Sequence, residues 1–198
     1  RLGDAMVNAI HVSTHDGDRV YVAAMGYKQG DYEPRLYRTE NGGRGWQRID
    51  KGLPEGVVSR VVREDPERAG LLFAGLETGV FISFNDGRDW QPFDTNMPPV
   101  PITDLKVHKG DLVVATQGRA FWVLDDITPL RQMTDDTRAA AAHLYRPRPA
   151  YRLLTEGTTD EEPGANPPSG AVLTFSLADD PDAEKPEDGA DDTAEADT

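Results

Sequence analysis

The chain has 198 residues, of which 37% are hydrophobic and 28% charged, with a formal net charge of −14 and no cysteine. The length suits one domain or two small ones, and the polar balance implies that part of the chain does not pack. No run approaches the ~20 apolar residues that span a bilayer. The lack of cysteine excludes disulfides, thiol nucleophiles and cysteine-ligated zinc. The charge is uneven: residues 1–155 carry 21 acidic and 20 basic side chains, and residues 156–198 carry 14 acidic side chains and one Lys. The acidity belongs to the C-terminal stretch and disfavours nucleic acid as a partner, because phosphates repel it.

Residues 1–128 predict β-structure. Short apolar runs at Val7–Val12, Val20–Met25, Arg35–Arg38, Val57–Val62, Leu71–Ala74, Val80–Ser83, Ile102–Val107, Leu112–Thr116 and Phe121–Leu124 are separated by Gly, Asp, Asn and Pro. No sustained 3.6-residue period runs through them, so long helices are not expected. In the connecting segment 129–170, a short helix is expected through Thr137–Leu144. Pro147 and Pro149 then impose an extended chain, and residues 156–170 read as a linker. Residues 171–177 predict one isolated strand. The stretch 178–198 is Asp, Glu, Ala, Pro and Thr with almost nothing apolar, the composition of a disordered acidic tail.

Internal repetition is the stronger signal. The segment RLYRTENGGRGWQRI matches GVFISFNDGRDWQPF at an offset of 44 residues. Thr39, Asn41, Gly43 and Trp46 of residues 39–46 align with Ser83, Asn85, Gly87 and Trp90 of residues 83–90. Strands of the type DRVYVAAMG, GLLFAGLETG and GDLVVATQG recur before or within each unit, so three copies are visible. The third keeps the strands and replaces the turn with AFWVLDDI. A period of 40–45 residues with several strands per unit is the spacing of a propeller blade. The expected fold is therefore all-β: a partial propeller of about three four-stranded antiparallel blades.

The chemistry of the repeated turn is that of a hairpin. Asn caps backbone amides and tolerates left-handed φ, and Gly takes positive φ without steric cost. Ser or Thr adds a local hydrogen bond, and Trp leaves on a strand to pack between sheets. The pattern Ser/Thr-x-Asp/Asn-x-Gly-x-x-Trp resembles the Asp-box, or BNR repeat, of sialidases, sortilin-type propellers, some endoglucanases and xyloglucanases, and photosystem assembly factors. The resemblance implies a structural turn at the outer edge of a blade, away from any central cleft.

The stretch Gly118, Arg119, Phe121–Asp126 is similar to the closing strand of large bacterial sortilin-like BNR propellers, a group also labelled glycosyl hydrolase-like. Asn166, Pro167, Pro168, Gly170 and Ala171 resemble the entry to a following β-sandwich. That likeness implies that residues 171–177 are the first strand of a truncated second domain. It also implies that the chain is the C-terminal part of a larger secreted or periplasmic protein.

No catalytic set emerges. Glycosidases need two carboxylates flanking a cleft, and the candidates for cleft-facing positions are Asp104, Arg119, Asp125 and Asp126. Asp125 and Asp126 are adjacent on a strand and point to opposite faces. His11, His15, His108 and His143 have no metal-ligand spacing, so no zinc site is expected, and no cofactor is expected. There is no nucleophile elbow and no phosphate loop. Two functions follow as alternatives. One is a non-catalytic module that binds protein or glycan, with the remaining propeller blades as partners. The other is part of a glycoside hydrolase, such as an endoglucanase, xyloglucanase or sialidase relative, with its main carboxylates on other blades.

Overall fold

The computed structural model describes residues 5–93, 96–150 and 170–178. The linker and acidic tail expected from composition lie outside the described residues, apart from Gly170 and Ala178.

Two four-stranded antiparallel sheets follow one another in the chain. The first contains β1 (Met6–Val12), β2 (Val20–Gly26), β3 (Asp31–Thr39) and β4 (Gln47–Arg48), in that spatial order. The second contains β5 (Ser59–Glu64), β6 (Leu72–Leu76), β7 (Gly79–Ser83) and β8 (Gln91–Pro92), again in that order. This up-and-down order is that of a propeller blade. Both first strands carry a register shift, at Val7/Ala9 in β1 and Ser59/Val61 in β5. Such a bulge bends the strand and increases its local twist.

The third sheet has three strands, β9 (Ile102–His108), β10 (Asp111–Thr116) and β11 (Phe121–Leu124). A fourth strand was expected there. In the first two units the Trp-containing turn reverses the chain into a short outer strand. The third unit lacks that turn, and after β11 the chain enters α1 (Thr128–Gln132). The helix expected at Thr137–Leu144 is also different. Pro129 sits in the first turn of α1, where its missing N–H costs no hydrogen bond. A reciprocal cap between Thr134 and Thr137 then starts a separate α2 (Asp135–Ala139). The chain becomes a strand at β12 (Ala142–Leu144), which pairs with β13 (Phe175–Leu177). The strand expected as isolated is therefore paired, and it is shorter than 171–177.

The core lies between the sheets. β5 packs against β1, β2 and β3 on one side and β9 on the other. Tyr21, Leu36, Ile49, Val62, Leu72, Phe81 and Trp90 fill the space between the first two sheets. Leu71, Phe73, Ile82, Ile102, Leu105 and Leu112 fill the space between the second and third. In the middle sheet, alternate residues of β5, β6 and β7 serve opposite interfaces, as the two-residue period of a strand requires. Gly75 sets the second spacing, because a Cβ there would stand 2.5 Å from Ile102 and 2.7 Å from Val61.

Candidate functional site

The two repeated turns join β3 to β4 and β7 to β8, and they carry the same internal hydrogen bonds. In the first, the Thr39 hydroxyl donates to Asn41 Oδ1 at 2.9 Å and accepts from the Gly43 amide at 3.0 Å. Asn41 Oδ1 also accepts from the Gly45 amide at 2.9 Å. In the second, Ser83 donates to Asn85 Oδ1 at 3.0 Å and accepts from the Gly87 amide at 3.0 Å, and Asn85 Oδ1 accepts from the Asp89 amide at 3.0 Å. Both acceptor oxygens are engaged by their own turns.

The two Trp side chains differ in what they meet. Trp90 is buried and its indole N–H donates to the Ile49 carbonyl of the first unit at 2.6 Å. Trp46 is half-buried on the far face of the first sheet, against Val22, Ala24 and Tyr37.

The position after each Asn has positive φ. It is Gly42 in the first turn and Asp86 in the second, both at 64°. A non-glycine residue is strained there, and Asp86 gains inter-sheet partners in that conformation. Its Oδ1 lies 2.6 Å from the Tyr21 hydroxyl, its Oδ2 pairs with Arg38, and its carbonyl accepts from Arg38 at 2.9 Å. Glu64, buried in β5, lies 3.1 Å from the same Tyr21 hydroxyl and accepts from the Gly70 amide at 3.0 Å. Burial, reinforced by the bond to Asp86 and the nearby Glu64 charge, raises the Tyr21 pKa far above its ordinary value. His11 stacks on Tyr21. Burial and then Arg63 lower its pKa, opposed by Glu64.

A second buried carboxylate fastens the helical segment. Asp65, fully buried in the β5–β6 connection, accepts the Glu67 and Arg68 amides at 2.8 Å each and is held by Arg131 of α1 at 3.0 Å. Arg131 also pairs with Glu67 at 2.8 Å. Arg68 donates to the Leu130 carbonyl at 2.5 Å. These bonds hold α1 against the second unit. Between that helical segment and the second turn lies a cavity of about 410 Å³, lined by Arg68, Phe84, Asn85, Asp89, Trp90, Thr134, Asp135 and Arg138 among others.

The four candidate cleft residues divide between two ends of the third sheet. Asp104, on β9, is exposed, pairs with Arg63 at 2.7 Å and caps the Leu105 amide at 2.8 Å. Arg119 is exposed in the β10–β11 turn, where its carbonyl accepts from the Trp122 indole at 3.0 Å. Asp125 and Asp126 follow β11 at the opposite end. Asp125 is exposed, and Asp126, at φ 59°, caps the Thr128 amide at 3.1 Å. The strand register places Asp104 opposite Ala115 and Leu124 opposite Leu112. The two pairs are thus several residues apart along the sheet. Among the described residues, no group of three or more His, Asp or Glu side chains is arranged to hold a metal ion.

Sequence reasoning passed over Asp65, Arg68, Phe84, Arg131 and Arg138. Phe84 stands at a variable position of the second turn and the others lie outside the repeat, and the only signal for Asp65 is its place in the loop that follows the β5 strand pattern.

No protein-family model matches the sequence, and no curated protein sequence matches it. Among solved structures, the chain is similar to the GH74 enzyme of Niastella koreensis, with 13% identity, a TM-score of 0.48, and 61% of this chain and 21% of that one covered. It is similar to YCF48 from Cyanidioschyzon merolae, with 14% identity, a TM-score of 0.43, and 62% and 40% covered. It is also similar to the GH74 xyloglucanase from Xanthomonas campestris, with 13% identity, a TM-score of 0.34, and 59% and 29% covered. The chain spans about a fifth of the length of the first of these and well under half of the others. These likenesses lend the chain no activity, and its propeller-like fold rests on the order of its own sheets.

Proposed function

We propose that this chain contributes Asp-box blades to a larger exported β-propeller, extracellular or periplasmic, that acts as a protein- or glycan-binding scaffold. The observation that carries this reading is how the carboxylates are used. Asp65 is committed to loop caps and Arg131, and Asp86 to Arg38 and Tyr21, and the two turn asparagines are committed to their own backbones. Side chains engaged in this way hold turns, sheets and α1 together.

The outer sheet faces support partners of the same kind. Ile10 and Val12 on the first sheet and Phe121 and Val123 on the third are exposed. Uncovered apolar sheet faces of this sort suit neighbouring blades. A share in a glycoside hydrolase with its main carboxylates on other blades is the alternative, and Asp104, exposed on β9 beside Arg63, is the candidate this chain would add.

The test is to express the full open reading frame that encodes this chain and expose it to a polysaccharide panel, measuring retention and reducing-sugar release together. Retention without release is the expected result. Release that disappears in Asp104→Asn would establish the hydrolase reading instead.

A further inference from the structure

We propose that the cavity between the second turn and α2 is a carboxylate-binding site, with Arg68 and Arg138 as its cationic wall and an acidic sugar as the ligand class. The inference rests on the binding-module reading and adds a location and a charge to it.

The geometry starts with Phe84. The Arg138 guanidinium lies 4.2 Å from the Phe84 ring centroid, and that of Arg68 lies 5.4 Å from it. Two like charges converge on one ring at the wall of a cavity of about 410 Å³. That volume falls within the range of small-molecule sites. Neither guanidinium has a carboxylate within ion-pair distance among the described residues. Arg68 spends one N–H on the Leu130 carbonyl, and Arg138 has only its contact with the ring.

Burial and then the Arg138 charge push the Arg68 pKa down, partly offset by Asp65. Bringing two guanidiniums to one cavity costs free energy, and an anion held in that cavity offsets the cost. A planar carboxylate suits the remaining N–H groups, because guanidinium donors match its two oxygens.

The rest of the lining fits a sugar better than a bare ion. Gln91 and Thr134 offer polar groups suited to hydroxyls, and the half-buried Phe84 and Met133 offer apolar surface. Two acidic residues also line the cavity. Asp89 is engaged by Lys51 at 2.6 Å and by Asn85 at 3.2 Å. Asp135 lines the cavity as well and has no basic partner within ion-pair distance among the described residues, so it opposes an incoming carboxylate.

The experiment is calorimetric titration of the full chain with sodium galacturonate, with galactose as the uncharged counterpart and sodium sulfate as a bare anion. Saturable galacturonate binding is expected, at least about tenfold tighter than for either control. Arg138→Gln should weaken it by about tenfold or more, the scale of one charge-assisted interaction. Asp135→Asn should tighten it. Both residues are exposed on a short helix, so circular dichroism should show the fold retained. Equal affinity for galactose, equal or tighter affinity for sulfate, or affinity unchanged in Arg138→Gln would each overturn the site. If galacturonate does not bind while polysaccharides are still retained, only the site is lost and the scaffold reading stands.

Discussion

The Tyr21 hydroxyl of the first sheet lies 2.6 Å from Asp86 Oδ1 in the second turn, across 65 positions of sequence. The same oxygen lies 3.1 Å from Glu64 Oε1. A phenol has one proton to donate, and the shorter contact assigns it to Asp86. This bond links β2 to the position of the second repeated turn where Asp86, in place of the first turn's glycine, takes left-handed φ. The local strain at Asp86 and the joining of the sheets are thus parts of one arrangement.

Replacing Tyr21 by Phe removes that donor from the Asp86 carboxylate at the sheet junction. A loss of about 1–3 kcal/mol in unfolding free energy is expected from urea titration. The pH dependence follows from the raised Tyr21 pKa. Above the ordinary value of 10.0 the unfolded chain releases the proton while the folded chain keeps it. Stability therefore falls as pH rises through that region. Tyr21→Phe should show a shallower decline above pH 10 than the parent, and an identical slope would remove Tyr21 from the account.

The two turn tryptophans should respond differently to the same change. Trp90→Phe loses a buried indole bond to Ile49 and leaves a gap between sheets, for about 2 kcal/mol or more. Trp46→Phe, on a half-buried outer face, should cost less than about 1 kcal/mol. Denaturation midpoints of the two variants settle the order. Equal costs would mean that the inter-sheet contact of Trp90 contributes nothing beyond the turn itself.

Gly75 offers a test of sheet spacing. Its added Cβ would stand 2.5 Å from Ile102 of the third sheet and 2.7 Å from Val61 of its own sheet, so both neighbours must shift. Gly75→Ala is expected to cost about 1–3 kcal/mol. Gly56→Ala has open space but a φ of 70°, and isolates the backbone contribution. If Gly75→Ala is the milder of the two in thermal unfolding, the close approach is not a constraint.

Arg131→Met leaves the Asp65 carboxylate buried with two backbone amides and no cation. Removing one member of a buried pair costs about 3 kcal/mol or more. The double change Asp65→Asn with Arg131→Met should cost less than Arg131→Met alone, because no unpaired charge remains. Hydrogen exchange should accelerate across residues 128–139 in the single variant. Unchanged protection there would show that α1 does not depend on this pair.

The strands and the repeated turns were legible from sequence because their determinants are local. Alternating apolar residues define a half-buried strand, and the bonds within each turn span only two to four positions. The end of the third unit was misread because the loss of its turn motif removed the signal for a fourth strand without indicating what followed. Of the helix expected over Thr137–Leu144, only the first residues are helical, at the end of α2, which the Thr134–Thr137 cap starts at Asp135; the last three form β12.

What sequence could not supply was the meeting of distant side chains. Tyr21 reaches Asp86, Arg131 reaches Asp65, and Arg68 and Arg138 share Phe84. Periodicity assigns a side chain to a face of its own sheet. Which residue it then touches depends on how that sheet stacks, twists and is crossed by the chain returning through α1 and α2. The sequence by itself determined the blades and their turns, and the stacking of those blades decided which charges were buried, which were paired and which were left lining a cavity.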